Sequence, residues 1–148
     1  EDIFGEAIHH LGRNKRKHNI SMHLEDDLLM ANMDARLIIQ VLVNLINNAI
    51  KYTPENSNIS LNARRVENKI LIEVQDDGNG VLHPDQLFEM FYTENNRGGD
   101  TRRGMGLGLS LCKSIIQSHG GTIWVENVTP HGACFKFVLD AVEVKLYE

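Results

Sequence analysis

Between Asp34 and Pro54 apolar residues return every three or four positions: Leu37, Ile38, Val41, Leu42, Leu45, Ile46, Ala49 and Ile50. That period predicts an amphipathic helix of about four turns. Asp34 offers an N-cap carboxylate, and Pro54, which has no N–H to donate, marks the end. A stripe this long has to be covered, so the chain must also build a second apolar layer. Alternating segments can supply it. Ile59, Leu61 and Ala63 alternate with polar residues, as do Ile70, Ile72 and Val74, with Glu67-Asn68 between them as a hairpin turn. Ile20, Met22 and Leu24 read as a strand, and Leu28–Ala31 is a candidate for another. Ile123 and Val125, then Phe135, Phe137 and Leu139, form two closing strands about a turn at Pro130–Gly132.

Helical spacing recurs twice more. Ile3, Phe4, Ala7, Ile8 and Leu11 predict a helix near residues 2–13. Leu107, Leu109, Leu111, Cys112, Ile115 and Ile116 predict another, stopped by Gly120-Gly121. A short helical piece is expected around Pro84–Phe91. The order predicts an α+β two-layer sandwich. About five strands form a mixed, mostly antiparallel sheet, covered on one face by about three helices.

The 148 residues suit a single domain, residues 1–148. With 42% hydrophobic and 24% charged residues the chain is unlike a disordered one. Fifteen Lys+Arg against twenty Asp+Glu leave a net charge of −5, which argues against binding nucleic acid through a basic field. No apolar run approaches the roughly 18 residues of a membrane helix, and no signal-peptide pattern opens the chain. Cys112 and Cys134 lack CxxC or CxxH neighbours, which speaks against a disulfide framework or zinc site and fits a reducing compartment. The chain opens at Glu1 on a helical pattern, so it is expected to be a piece of something longer. Arg13, Lys15, Arg16 and Lys17 read as a solvated turn, with a phosphate or partner contact as the alternative, and the charged tail from Ala141 to Glu148 as a fraying end.

Four clusters carry possible chemistry. Asn44, Asn47, Asn48 and Lys51 lie on the long helix, where Asn44 and Asn48 share a face. Asparagine is a mediocre helix former and costly to bury unpaired. Such a row is either a polar face bonded to solvent or a neighbouring loop, or a notch whose carbonyl oxygens suit a hard cation and whose amides suit phosphate. Asp76-Asp77-Gly78-Asn79-Gly80 follows a strand. It is either an ordinary turn or a place where glycines let the backbone approach a ligand while a carboxylate accepts from an amine. Gly104, Gly106 and Gly108 run into a helix, and amides there favour anions. They do not follow a strand, so neither the dinucleotide fingerprint nor GxxxxGK[ST] applies. Arg97, Arg102 and Arg103 just upstream either keep a loop soluble or fork onto phosphate oxygens. Residues 93–106 hold four glycines and almost nothing apolar, a composition expected of a mobile functional loop. Phe88, Phe91 and Tyr92 would anchor its base.

Together these segments resemble the ATP-binding catalytic domain of sensor histidine kinases. Asn44-Leu-Ile-Asn-Asn48-Ala49-Ile-Lys51-Tyr52 resembles their N box and Asp76-Asp-Gly78-Asn-Gly80 their G1 box. Leu87-Phe88-Glu-Met-Phe91 resembles the F box, Gly104-Met-Gly106-Leu107-Gly108 the G2 box, and Gly120-Gly121 with Gly132-Ala-Cys-Phe135 the closing glycine motif. The boxes occur in family order over nearly the whole chain. The ending most resembles potassium-responsive osmosensor kinases of the KdpD type.

The resemblance implies a Bergerat fold, ATP and Mg²⁺ as cofactors, and a fixed set of roles. Asp76 accepts from the adenine amine, with Gly78 and Gly80 beside the base and Tyr52 packed against it. Asn48 ligates Mg²⁺, while Asn44 and Lys51 contact phosphates or metal-bound water. Residues 93–106 form the ATP lid, with Phe91, Arg102, Arg103, Gly104, Gly106, Leu107 and Gly108 around the nucleotide. Gyrase-like ATPases of the same superfamily place a Glu general base four residues before the metal-binding Asn. Here Asn44 stands there and cannot take up a proton. The resemblance therefore implies γ-phosphate transfer to a histidine on a dimerisation/phosphoacceptor domain, then to a response regulator. None of the seven histidines lies in His-Glu-x-x-x-Pro, so this chain alone is expected to bind ATP without autophosphorylating. The implied setting is a monomeric cytoplasmic domain, not inserted in a membrane and not bound to nucleic acid, of a parent anchored in the inner or plasma membrane. The alternatives are an ATPase of the superfamily or a nucleotide-sensing scaffold.

Overall fold

The computed structural model describes residues 2–11, 18–24, 31, 33–90 and 108–141. The basic run at 13–17, Leu28–Met30, the loop at 93–106 and the tail beyond Ala141 lie outside these. Three helices, α1 (Asp2–Leu11), α2 (Ala35–Lys51) and α3 (Gly108–Ser118), accompany five strands. The strands are β1 (Asn19–Leu24), β2 (Asn58–Val66), β3 (Lys69–Asp76), β4 (Thr122–Asn127) and β5 (Ala133–Asp140). They form one sheet in the order β1-β2-β3-β5-β4. Among the described strands only β1 and β2 run parallel; the pairs β2–β3, β3–β5 and β4–β5 are antiparallel. The expected mixed α+β sandwich is therefore present.

The long helix begins as its sequence predicts. Asp34 Oδ1 accepts the Arg36 N–H at 3.0 Å, and the Asp34 carbonyl accepts the Ile38 N–H. Ile38, Val41, Leu42, Leu45, Ile46 and Ala49 are buried along one face. Phe4, Ala7 and Leu11 of α1 join the same core, as do Cys112, Ile115 and Ile116 of α3. Each fully buried Val, Leu, Ile or Phe among them contributes roughly 1.5–3 kcal/mol. The sheet meets these helices with one buried row from each of four strands, β2, β3, β5 and β4: Ile59, Leu61 and Ala63; Ile70, Ile72 and Val74; Phe135, Phe137 and Leu139; Ile123 and Val125. Alternation places the opposite row on the other face, where Glu73 pairs with Arg64 and Lys136, and Lys136 with Glu126.

The α3 stop carries the double hydrogen bond of a Schellman end. Gly121 N–H reaches the Ile116 carbonyl at 2.9 Å, and Gly120 N–H the Gln117 carbonyl at 3.0 Å. The helix expected at Pro84–Phe91 is shorter than its pattern: one 3₁₀ turn spans Pro84–Gln86. Leu87 and Phe88 leave that turn to enter the core, and Phe88 meets Phe135 edge-on at 6.0 Å. Of the candidate strand Leu28–Ala31, the described Ala31 makes a single bridge to Ala141.

Candidate functional site

Asp76 is the last residue of β3 and belongs to its core-facing row, after Ile70, Ile72 and Val74. Across the sheet it pairs with Ile59 on one side and Ala133 on the other, and Ala133 pairs with Asn127. The sheet thus ends, on its helix-covered face, with a carboxylate that is only 3% exposed. Burial of a carboxylate demands hydrogen bonds. Oδ1 receives two, from Gly78 N–H at 2.9 Å and Ala133 N–H at 3.3 Å, which set the plane of the group.

The backbone around Asp76 is crowded enough to dictate glycine twice. A Cβ on Gly78 would stand 2.7 Å from Thr53 Cγ2 and 3.2 Å from Asp76 Oδ1. Gly132 adopts φ +123°, and a Cβ there would stand 2.2 Å from the Asp76 carbonyl oxygen. Gly80 follows in the same loop, beside Asn127.

Thr53 brings the end of α2 to this loop. Asn44, Asn48 and Lys51 sit on α2, and Tyr52 caps it with its N–H on the Asn48 carbonyl. Lys51 Nζ lies 5.1 Å from the centre of the Tyr52 ring. Asn48 Oδ1 is buried and has no hydrogen-bond partner among the described residues. An orphaned amide oxygen inside a fold is costly and fits a missing ligand; a hard cation such as Mg²⁺ suits it. Asn44, partly buried one turn before, lies beside the Cys112 thiol of α3, which donates to the Val41 carbonyl at 3.8 Å. Asn47 points to solvent. Burial pushes the Cys112 thiol up to about 12. Among the described residues no cluster of three or more His, Cys, Asp or Glu could hold a metal.

The structure therefore brings Asn48, Tyr52, Asp76 and Gly78 to one end of the sheet, with Asn44 and Lys51 on the same helix. Gly108 is the first residue of α3. Phe91, Arg102, Arg103, Gly104, Gly106 and Leu107 lie outside the described residues. Other supports escaped the sequence reading. Asn127 accepts the Val81 N–H at 2.7 Å and donates to the Val81 carbonyl at 2.9 Å, binding the loop to β4 as an extra strand residue would. Asp77 holds the Asn58 backbone and side-chain N–H groups at the start of β2, and its carbonyl accepts from His131 at 2.8 Å. His18 contacts the Thr53 hydroxyl at 2.9 Å. Their positions only become meaningful once distant segments meet.

Known proteins share this arrangement. A sensor protein KdpD of Clostridium acetobutylicum is 36% identical over 139 residues, covering 93% of this chain and 15% of that protein. The adaptive-response sensory kinase SasA of Crocosphaera subtropica is 46% identical over 110 residues, covering 72% of this chain and 28% of that one. The chain thus spans under a third of either relative. The catalytic domain of histidine kinase ThkA superposes with a TM-score of 0.81 at 29% identity, covering 94% of this chain and 92% of that one. A structure of ThkA in complex with response regulator protein TrrA matches at 0.79 and 28%, covering 95% of this chain and 40% of that one. The family described as histidine kinase-, DNA gyrase B- and HSP90-like ATPases matches residues 33–143, and with the five-stranded sandwich and its acidic, glycine-lined end already in place, the chain belongs to that family.

Proposed function

We propose that the chain is the ATP-binding catalytic domain of a two-component sensor histidine kinase. The observation that carries this reading is the meeting of a buried, doubly hydrogen-bonded Asp76 carboxylate with the α2 end, where Asn48 Oδ1 has no partner among the described residues. Asp76 can accept from the exocyclic amine of adenine; guanine would present a carbonyl oxygen to it, a repulsive pairing that favours ATP over GTP. Gly78 and Gly80 leave the base edge open to the backbone, and Tyr52 packs beside it. Asn48 would hold Mg²⁺ through Oδ1, and the cation when bound neutralises phosphate charge. Asn44 and Lys51 supply an amide and an ammonium to the phosphate side. Gly104, Gly106, Leu107 and Gly108, with Arg102, Arg103 and Phe91, complete our nucleotide-binding set, residues 93–106 serving as lid.

Asn44 decides between hydrolysis and transfer. An amide cannot take a proton from water at neutral pH, so the domain has no base of its own at that position. Phosphoryl transfer then rests on positioning and charge neutralisation, with a nucleophile delivered from outside. A neutral imidazole is such a nucleophile. We place it on a dimerisation/phosphoacceptor domain of the parent, since none of the seven histidines here stands in His-Glu-x-x-x-Pro. A response regulator follows as the next acceptor, a partner class supported by the ThkA–TrrA complex. We assign the domain to the cytoplasmic side of a membrane-anchored parent; none of its described helices is itself long and apolar enough to cross a membrane.

Calorimetric titration of the 148-residue chain tests the reading. Mg-ATP should bind and Mg-GTP should not, and Asp76→Asn and Asn48→Asp should each abolish ATP binding. Radiolabelled ATP should leave no base-stable phosphohistidine on the chain alone. Absence of binding by the unaltered chain would overturn the proposal.

A further inference from the structure

Thr53 sits under the proposed base pocket, and its rotamer is held from two sides. Its hydroxyl donates to the Ala49 carbonyl one turn back at 2.7 Å. A hydroxyl has one proton, so the contact with His18 Nε2 at 2.9 Å must run the other way, with the imidazole N–H donating to Oγ1. With Oγ1 fixed by both bonds, Cγ2 is turned toward Gly78, where it would stand 2.7 Å from an added Cβ. Gly78 in turn supplies the N–H that orients Asp76 Oδ1. Both His18 and Thr53 are buried, at 8% exposure each. His18 immediately precedes β1, the edge strand that carries none of the proposed nucleotide contacts.

We propose that His18 is a positioning residue for base recognition: its Nε2–H locks Thr53, Thr53 supports Gly78, and Gly78 holds the Asp76 carboxylate in its accepting orientation. The inference rests on the nucleotide reading above and adds to it a route by which the segment joining α1 to β1 bears on adenine affinity. The route is two hydrogen bonds, His18 to Thr53 and Gly78 to Asp76, joined by the close packing of Thr53 Cγ2 on Gly78, and it stops at the base. Asn48 and Lys51, on the phosphate side, are not among its members.

His18→Phe keeps a ring and removes the donor, whereas His18→Gln keeps an N–H at a similar reach. Thr53→Val keeps the shape and removes the hydroxyl. Titration of the 148-residue chain with Mg-ATP should show His18→Phe and Thr53→Val each binding about five- to tenfold more weakly, the loss expected for one buried hydrogen bond. The double variant should be no weaker than the worse single one, because both changes break the same link. His18→Gln should recover most of the affinity. Competition by inorganic tripolyphosphate with magnesium should be unchanged in all of them. The positioning role is overturned if His18→Phe binds ATP as the unaltered chain does, if His18→Gln is equally impaired, if the two losses add, or if tripolyphosphate weakens in step with ATP. Failure of the unaltered chain to bind ATP, or full binding by Asp76→Asn, would instead sink the nucleotide reading and the inference with it.

Discussion

The carbonyl oxygen of Asp76 and the α-carbon of Gly132 touch so closely that a Cβ on Gly132 would stand 2.2 Å from that oxygen. The same β3–β5 junction lets Ala133 N–H reach the Asp76 carboxylate. A closing glycine in the β4–β5 turn is therefore part of what places the acid at the sheet end. Gly132→Ala meets both the contact and a backbone at φ +123°, a region that alanine rarely adopts. We expect a loss of about 2–4 kcal/mol of stability in urea unfolding, or a shifted β5 start with ATP binding gone. A variant as stable as the unaltered chain that still binds ATP would contradict this account of the junction.

A second cross-link joins the two helices that frame the site. Asp34 N–H donates to His119 Nε2 at 3.0 Å, so the C-terminal end of α3 is tied to the N-cap of α2. That nitrogen must carry a lone pair, and Nδ1 must carry the proton, since Nδ1 faces the Ile115 carbonyl at 2.8 Å. Nitrogen-15 NMR should find the Nδ1–H tautomer at neutral pH. His119→Ala should cost about 0.5–1.5 kcal/mol, the usual worth of a hydrogen bond of this exposure. An Nε2–H tautomer would show that the tie is made differently.

Much of this architecture could be read from periodicity, and the exceptions have a common cause. Asp34 and the α2 stripe are local patterns, as are the two hairpins turning at Glu67-Asn68 and Pro130–Gly132; each behaves as its spacing predicts. The parallel pairing of β1 with β2 was not legible, because alternation reveals a face and says nothing about strand direction. The helix expected at Pro84–Phe91 shrinks to one turn because Leu87 and Phe88 gain more by entering the core against Phe135 than by continuing a helix. In the site, Asp76 and Gly78 announced themselves by residue type. His18 and Asn127 did not, since a histidine before a strand and an asparagine ending one are unremarkable until residues 35 and 46 positions away arrive beside them.

The sheet face opposite the helices carries its own reporter. Trp124, the single tryptophan, donates from Nε1 to Glu126 Oε2 at 2.7 Å. That hydrogen bond, with Lys136 beside it, holds the Glu126 carboxyl below its ordinary value of 4.5. The contribution to stability is thus present above 4.5 and is lost as pH falls through the lower folded value. Tryptophan emission should therefore titrate with a midpoint below 4.5, and Glu126→Gln should remove that step. The free-energy effect should be small, because the carboxyl is exposed. A midpoint at or above 4.5 would show that the bond does not persist in solution.

The two cysteines test how closed the sandwich is. Both are free and buried, Cys112 under α2 and Cys134 on the sheet face opposite the helices, beside Glu73. Burial pushes each thiol up to about 12; at Cys134 the Glu73 carboxylate adds to the effect, and at Cys112 the neighbouring Asn44 side chain works against it. The thiolate is the reacting species, so the native chain should be nearly inert to Ellman's reagent at pH 8. Unfolding in urea should release two reactive thiols per chain. The fold favours the protonated form, so these groups favour folding below their ordinary value of 9.0 and cease to do so as pH rises through about 12. Adding Mg-ATP should leave Cys134 untouched and slow any residual labelling of Cys112, because the Cys112 thiol rests on the Val41 carbonyl of α2, the helix that carries the proposed phosphate contacts. Rapid labelling of Cys112 in the native chain would mean that α3 parts from α2 far more readily than a fully buried contact allows.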